Sequence, residues 1–119
     1  MTINELLDKH GVDYNKCKLD GNASILHIHN TNVLFWINDS NIFNMKRKWF
    51  DKLEDDCDNY ALFLLDKSNK QYYYLHFSSK TNWLSNSFNN TDKPSLFLGK
   101  QILNYPHTLS KIISELKRL

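Results

Sequence analysis

Glycine and proline are scarce in this chain, with three and two among 119 residues. No linker or low-complexity segment is visible, and the glycine spacing of a phosphate loop is missing at Gly99-Lys100 and around Asp92-Lys93-Pro94. Cysteine is equally rare. Cys17 and Cys57 fit no zinc site, redox pair or disulfide framework. Cys57 reads as a small hydrophobe on a helix face, and Cys17, among lysines, as exposed. With no leader-like stretch at the start, two unpatterned cysteines point to a reducing cytoplasm. Long apolar runs are lacking too. Val33–Ile37 and Tyr60–Leu65 are strand-length, far short of the roughly 20 residues that span a bilayer, so no membrane partner is expected. Charge of one sign does not dominate: charged residues make up 24% and the formal net charge is +2. Composition therefore makes no case for nucleic acid, and any such case rests on local clustering.

What is present is a hydrophobic fraction of 41%, with 13% aromatics, enough for one core without staples. The length fits one domain, 1–119. Asparagine and lysine are abundant but scattered among apolar residues, which argues for codon bias over a prion-like tract.

Thr2 and Glu5 form a T-x-x-E capping box for a first helix. Ile3, Leu6, Leu7 and His10 share its face, and Gly11 is a natural stop. Tyr14–Leu19 reads as an edge strand with alternating lysines, and Asp20-Gly21-Asn22 as a turn. Ser24–His29 and Val33–Asn38 read as strands joined by Asn30-Thr31-Asn32. Val33–Ile37 is apolar on both faces and belongs in the middle of the sheet. Ser40 or Asn44 caps a second helix carrying Met45, Trp49, Leu53 and Cys57 at spacing four. Tyr60–Leu65 and Gln71–Phe77 form a hairpin across Lys67–Lys70. Thr81–Phe88 reads as a short helix, Ser95–Leu98 as a strand, and Thr108 as the cap of a last helix with Leu109, Ile112, Ile113, Leu116 and Leu119 on one stripe. The fold expected is α+β: a single domain with an antiparallel or mixed sheet of about five strands, packed with three main helices.

Residues able to carry chemistry are few. His27 and His29 alternate on a strand and so point to one face, with His76 a third member if its strand lies alongside. A metal needs three or four ligands, and no carboxylate or cysteine completes the set. Polar histidines on a half-exposed strand are the simpler reading. The second helix opens with Lys46, Arg47 and Lys48 and closes with Glu54, Asp55, Asp56 and Asp58. That order opposes the helix dipole, partly offset by Arg47–Asp51 and Lys52–Asp56 pairs. Three cations beside unsatisfied N–H groups make a candidate anion site suited to phosphate. The alternative is a merely solvated helix face. Tyr72 and Tyr74 share one strand face and could offer rings for stacking. Trp83, Phe88 and Tyr105, in or beside loops, are the candidate protein-interaction surface. No serine or cysteine nucleophile sits in a recognisable elbow, and no cofactor is implied.

The order of Ile3–Gly11, the strands through Asn38, the helix through Cys57 and the strands to Phe77 resembles the core of the restriction-endonuclease-like PD-(D/E)XK superfamily. The resemblance implies an acid from the first helix, an Asp near the second strand and E-x-K on the third, together binding Mg²⁺. Glu5 could stand for the helix acid, Asp20 for the strand acid and Lys46 for a displaced lysine. The third strand, Val33-Leu-Phe-Trp-Ile37, holds no E-x-K, so the resemblance implies an inactive relative. The same order also resembles Roadblock-like and GAF-like sheets, which dock proteins or sense small molecules.

Two functional expectations follow. The first is a non-catalytic protein-interaction or adaptor module, with self-association or an unknown protein as partner. The second is a nucleic-acid-associated, inactive nuclease-like domain holding phosphate at Lys46, Arg47 and Lys48.

Overall fold

Alternating apolar residues build most of the architecture. A computed structural model describes residues 3–55, 57 and 59–119. The expected Thr2 cap and the Lys52–Asp56 pair lie outside these residues. The described elements are α1 (Ile3–Lys9), β1 (Asn15–Lys18), β2 (Ala23–Ile28), β3 (Thr31–Asn38), β4 (Phe43–Lys46), α2 (Arg47–Leu53), β5 (Asn59–Asp66), β6 (Gln71–Phe77), α3 (Trp83–Asn89), β7 (Ser95–Leu98), α4 (Lys100–Leu103), β8 (Pro106–His107) and α5 (Leu109–Lys117).

Six strands form one mixed sheet in the order β1-β2-β3-β5-β6-β8, and β4 with β7 makes a separate two-stranded ribbon. The β1-β2-β3 run is an antiparallel meander. The chain then crosses through β4 and α2 to lay β5 parallel to β3, from Thr31↔Asn59 to Asn38↔Asp66. Strands β6 and β8 continue antiparallel. The α+β class and the central place of Val33–Ile37 match expectation. The element count does not: eight strands and five helices are described, against about five and three.

Two cores lie on opposite faces of the large sheet, as the period-2 alternation of its strands requires. On one face Ala23, Ile25, Leu34, Trp36, Leu62 and Leu64 pack with Phe43 and Met45 of β4, Trp49, Phe50 and Leu53 of α2, and Leu84 and Phe88 of α3. On the other, Leu26, Ile28, Val33, Phe35, Ala61 and Phe63 meet Leu7 of α1 and Ile112, Ile113 and Leu116 of α5.

Local signals explain the ends of several elements. Gly11, at φ 69°, closes α1 with paired bonds from Val12 N to Leu7 O at 2.9 Å and from Gly11 N to Asp8 O at 3.2 Å, the double closure that a left-handed residue permits. Thr108 accepts from Lys111 N at 3.3 Å and caps α5. Asn82 caps α3, accepting from Leu84 N and Ser85 N, while Ser85 reciprocates. The β2–β3 turn is tighter than expected. Ile28 already pairs Thr31, leaving His29 at φ 55° and Asn30 as the loop.

The main difference lies at residues 43–46. Phe43 and Met45 are buried while Asn44 and Lys46 are exposed, a strand alternation satisfied by pairing with β7. The second helix therefore begins at Arg47, with Lys46 and not Ser40 or Asn44 in the capping position, and ends at Leu53. Cys57 falls beyond it, still buried.

Candidate functional site

The three consecutive cations do not form one surface, because they straddle the end of a strand and the start of a helix. Lys46 closes β4 and Lys48 stands in the first turn of α2. Both reach Asp20 in the β1–β2 turn: Lys46 Nζ donates to Asp20 Oδ2, and Lys48 Nζ sits 3.0 Å from the same oxygen. The indole Nε1 of Trp49 donates to Asp20 Oδ1. The bond from Lys46, then those from Trp49 and Lys48, hold the Asp20 carboxyl far below the usual carboxylate range.

Arg47 turns the other way. Its guanidinium donates to Phe88 O at 3.0 Å, to Thr91 O, and through Nε to Lys93 O at 3.1 Å. It also lies over the Phe88 ring, 5.3 Å from its centroid. One cation thus ties α2 to the end of α3 and the segment after it, and two neutralise a turn carboxylate. The expected Arg47–Asp51 pair is replaced by these carbonyl bonds.

The resemblance grouped Glu5, Asp20 and Lys46. The structure brings Asp20 and Lys46 together. Glu5 stands on α1, which packs on the opposite face of the sheet from α2 and the ribbon.

The histidines do not converge. His27 shares its face with Ile25, whereas His76 lies opposite Ala61 on the other face, and His29 sits in the turn. No group of three or more His, Cys, Asp or Glu able to hold a metal occurs among the described residues. His27 has a structural use. Asn32 Nδ2 donates to Leu53 O at 3.0 Å and Asp55 O at 2.9 Å. Its Oδ1, 2.8 Å from His27 Nδ1, must then accept, so Nδ1 carries the proton. The pair fastens the C-terminal end of α2 to β3.

Of the aromatic candidates, Phe88 offers no surface. It is fully buried and stacked on Phe50 at 4.7 Å, because α3 turns this side toward the core. Trp83 is half-buried against Phe77. Tyr105 is exposed at 45%. The Tyr72/Tyr74 stacking pair is likewise overturned: α5 covers Tyr74 in the second core. Burial, and then Glu115, push its phenol well above the usual range.

Two exposed apolar residues were missed, Phe97 at 58% and Ile42 at 55%. Phe97 lies opposite Asn44 in the ribbon. Ile42, two residues before Asn44, continues the outward positions of an alternating stretch. The signal was in the sequence: in a strand Leu96-Phe97-Leu98, the middle residue must face away from its neighbours. No helix is long and apolar enough among the described residues to cross a membrane. A scan against protein-family models finds no match for this chain, and no curated protein matches it.

Proposed function

We propose that the chain is a non-catalytic protein-interaction module that docks a partner through the outer face of the β4–β7 ribbon. The observation that carries this is the placement of Phe97 and Ile42 on one outward face, both more than half exposed. Isolated exposed hydrophobics are ordinary, whereas apolar residues gathered at the outward positions of one small ribbon favour an interaction surface. Among the described residues the ribbon has two strands, and each of them keeps an edge with no described strand beside it. Such edges template pairing with another chain. The exposed thiol of Cys17 suits a reducing cytoplasm, which is where we place the module.

Replacing Phe97 and Ile42 with serine tests the reading. Self-association is measured by size-exclusion chromatography with light scattering, and partners by proximity crosslinking in cells. A dimer, or a crosslinked partner, lost in the double variant with the melting midpoint unchanged is the expected result. A monomer whose crosslinked partners are the same for both proteins would refute it.

A second reading, a nucleic-acid-associated and inactive nuclease-like domain, draws on the contact of Asp20 with Lys46 and on a three-strand meander followed by a helix and a parallel strand. Fluorescence anisotropy with short DNA and RNA at two salt concentrations distinguishes it, since phosphate contacts weaken steeply with salt. No binding at low salt would remove it.

A further inference from the structure

The helical layer opposite the ribbon does not cover its sheet. Helix α1 has seven residues and α5 nine, so each is only about 10–14 Å long. Six strands at about 4.8 Å spacing extend across roughly 24 Å. The uncovered part is a groove of about 620 Å³, within the range of about 300–1,000 Å³ typical of small-molecule sites. Its floor is apolar, with Ile37, Leu65 and Tyr72 from adjacent strands, and Leu6 and Leu109 approach from the two helices. Ile37, Tyr72, Leu6 and Leu109 are all only partly buried against this core.

The wall is basic. Lys16 and Lys18 occupy alternate positions of β1, opposite Leu26 and Ser24. Leu26 belongs to the core on this side and Ser24 lines the groove, so both lysines stand over the same face. Among the described lining residues there is no Asp or Glu. An apolar trough with two cations on one wall and no anion is complementary to one ligand chemistry, an apolar body ending in a negative head.

We propose that this groove binds a small amphipathic monoanion, its apolar chain lying on Ile37, Leu65 and Tyr72 and its carboxylate paired with Lys16 and Lys18. The site is on the sheet face away from the ribbon, so it stands independently of the docking surface proposed above.

The probe is 11-(dansylamino)undecanoate, whose fluorescence rises in an apolar site. Saturable enhancement is expected, displaced by decanoate and at least about tenfold less well by decanol, which has the same chain without the charge. The variant Lys16→Gln/Lys18→Gln should weaken the probe about tenfold, the effect of losing two partly solvated ion pairs, and abolish the preference for acid over alcohol. Both lysines are exposed, so this variant keeps the fold, checked by circular dichroism. Leu65→Trp, which fills the floor, should block the probe. No saturable enhancement, equal displacement by acid and alcohol, or unchanged binding in the lysine variant would each overturn the proposal. So would a dimer, seen by light scattering, that Leu65→Arg dissociates and decanoate does not, since the groove would then belong to a second copy.

Discussion

Asp20 gathers three side-chain donors, Lys46, Lys48 and Trp49, yet its side chain is over a third exposed. Its two oxygens take both lysines and the Trp49 indole, so the folded state strongly favours the charged form. A carboxyl whose pKa is lowered by folding contributes stability above its unfolded value, about 4, and loses it as pH falls toward the depressed folded value. The gap in urea midpoint between the natural protein and Asp20→Asn should therefore be full at pH 7 and narrow steadily below about pH 4. A gap that stays constant from pH 7 to pH 3 would mean that the charge of Asp20 does not couple to folding. At this scale the sequence was partly legible. Asp20 and Lys46 were singled out through the nuclease resemblance, as a strand acid and a displaced lysine, and their ion pair with each other was not read from the sequence. Phe88 did not read as core, because a short helix with three aromatic or apolar positions, Trp83, Leu84 and Phe88, gives no way to tell its inner from its outer side until α2 is laid against it.

The basic start of α2 looked like a sacrifice of stability, since cations at a helix N-terminus oppose the dipole. The contacts invert that expectation for Arg47. Its planar fork satisfies three carbonyls, Phe88 O in the last turn of α3 and Thr91 O and Lys93 O in the segment after it, and joins elements far apart in sequence. Arg47→Lys keeps the charge but cannot span them, so it should cost about 1–2 kcal/mol, read as a lower urea midpoint at unchanged slope. Lys48→Gln should stay within about 0.5 kcal/mol, because Asp20 retains Lys46 and Trp49. Equal losses in the two variants would show that the carbonyl bonds contribute nothing. The elements themselves were readable wherever periodicity ran unbroken, as in β2, β3, β5, β6 and α5. They failed where two periods coexist. Met45, Trp49 and Leu53 fit spacing four, while Phe43 and Met45 fit spacing two. What decides is β7, whose partner positions reach from Ser95 to Leu98, and nothing local to residues 43–46 announces it. The two-residue β8 is defined only by β6 beside it.

For the molecule as a whole, the parallel β3–β5 pair is a contact no hairpin signal could supply, and it divides the sheet into a protected centre and two unequal margins. Both strands have eight residues paired along their full length, each has a second neighbour, and Val33–Trp36 and Ala61–Leu64 are buried on both faces. Opening there means separating both cores at once, so its free energy approaches that of global unfolding. The margins differ. Strand β1 is exposed at every position, β8 contributes two residues, and the β4–β7 ribbon stands outside the large sheet. Strands β1 and β8 can open without disturbing the β3–β5 pair, whereas the ribbon carries Phe43, Met45 and Leu98, fully buried in the core that covers it. Amide hydrogen exchange at pH 7 should therefore be slowest at Val33–Trp36 and Ala61–Leu64, with β1 and β8 exchanging through local opening, insensitive to low urea, and the ribbon between the two. The central amides should instead speed up with urea at the slope of global unfolding. If the ribbon amides proved as slow as those of β3, the ribbon would be an integral part of the folding unit. Its outer face would then be a rigid platform with no independent mobility, and a partner docking on Phe97 and Ile42 would meet a preformed surface.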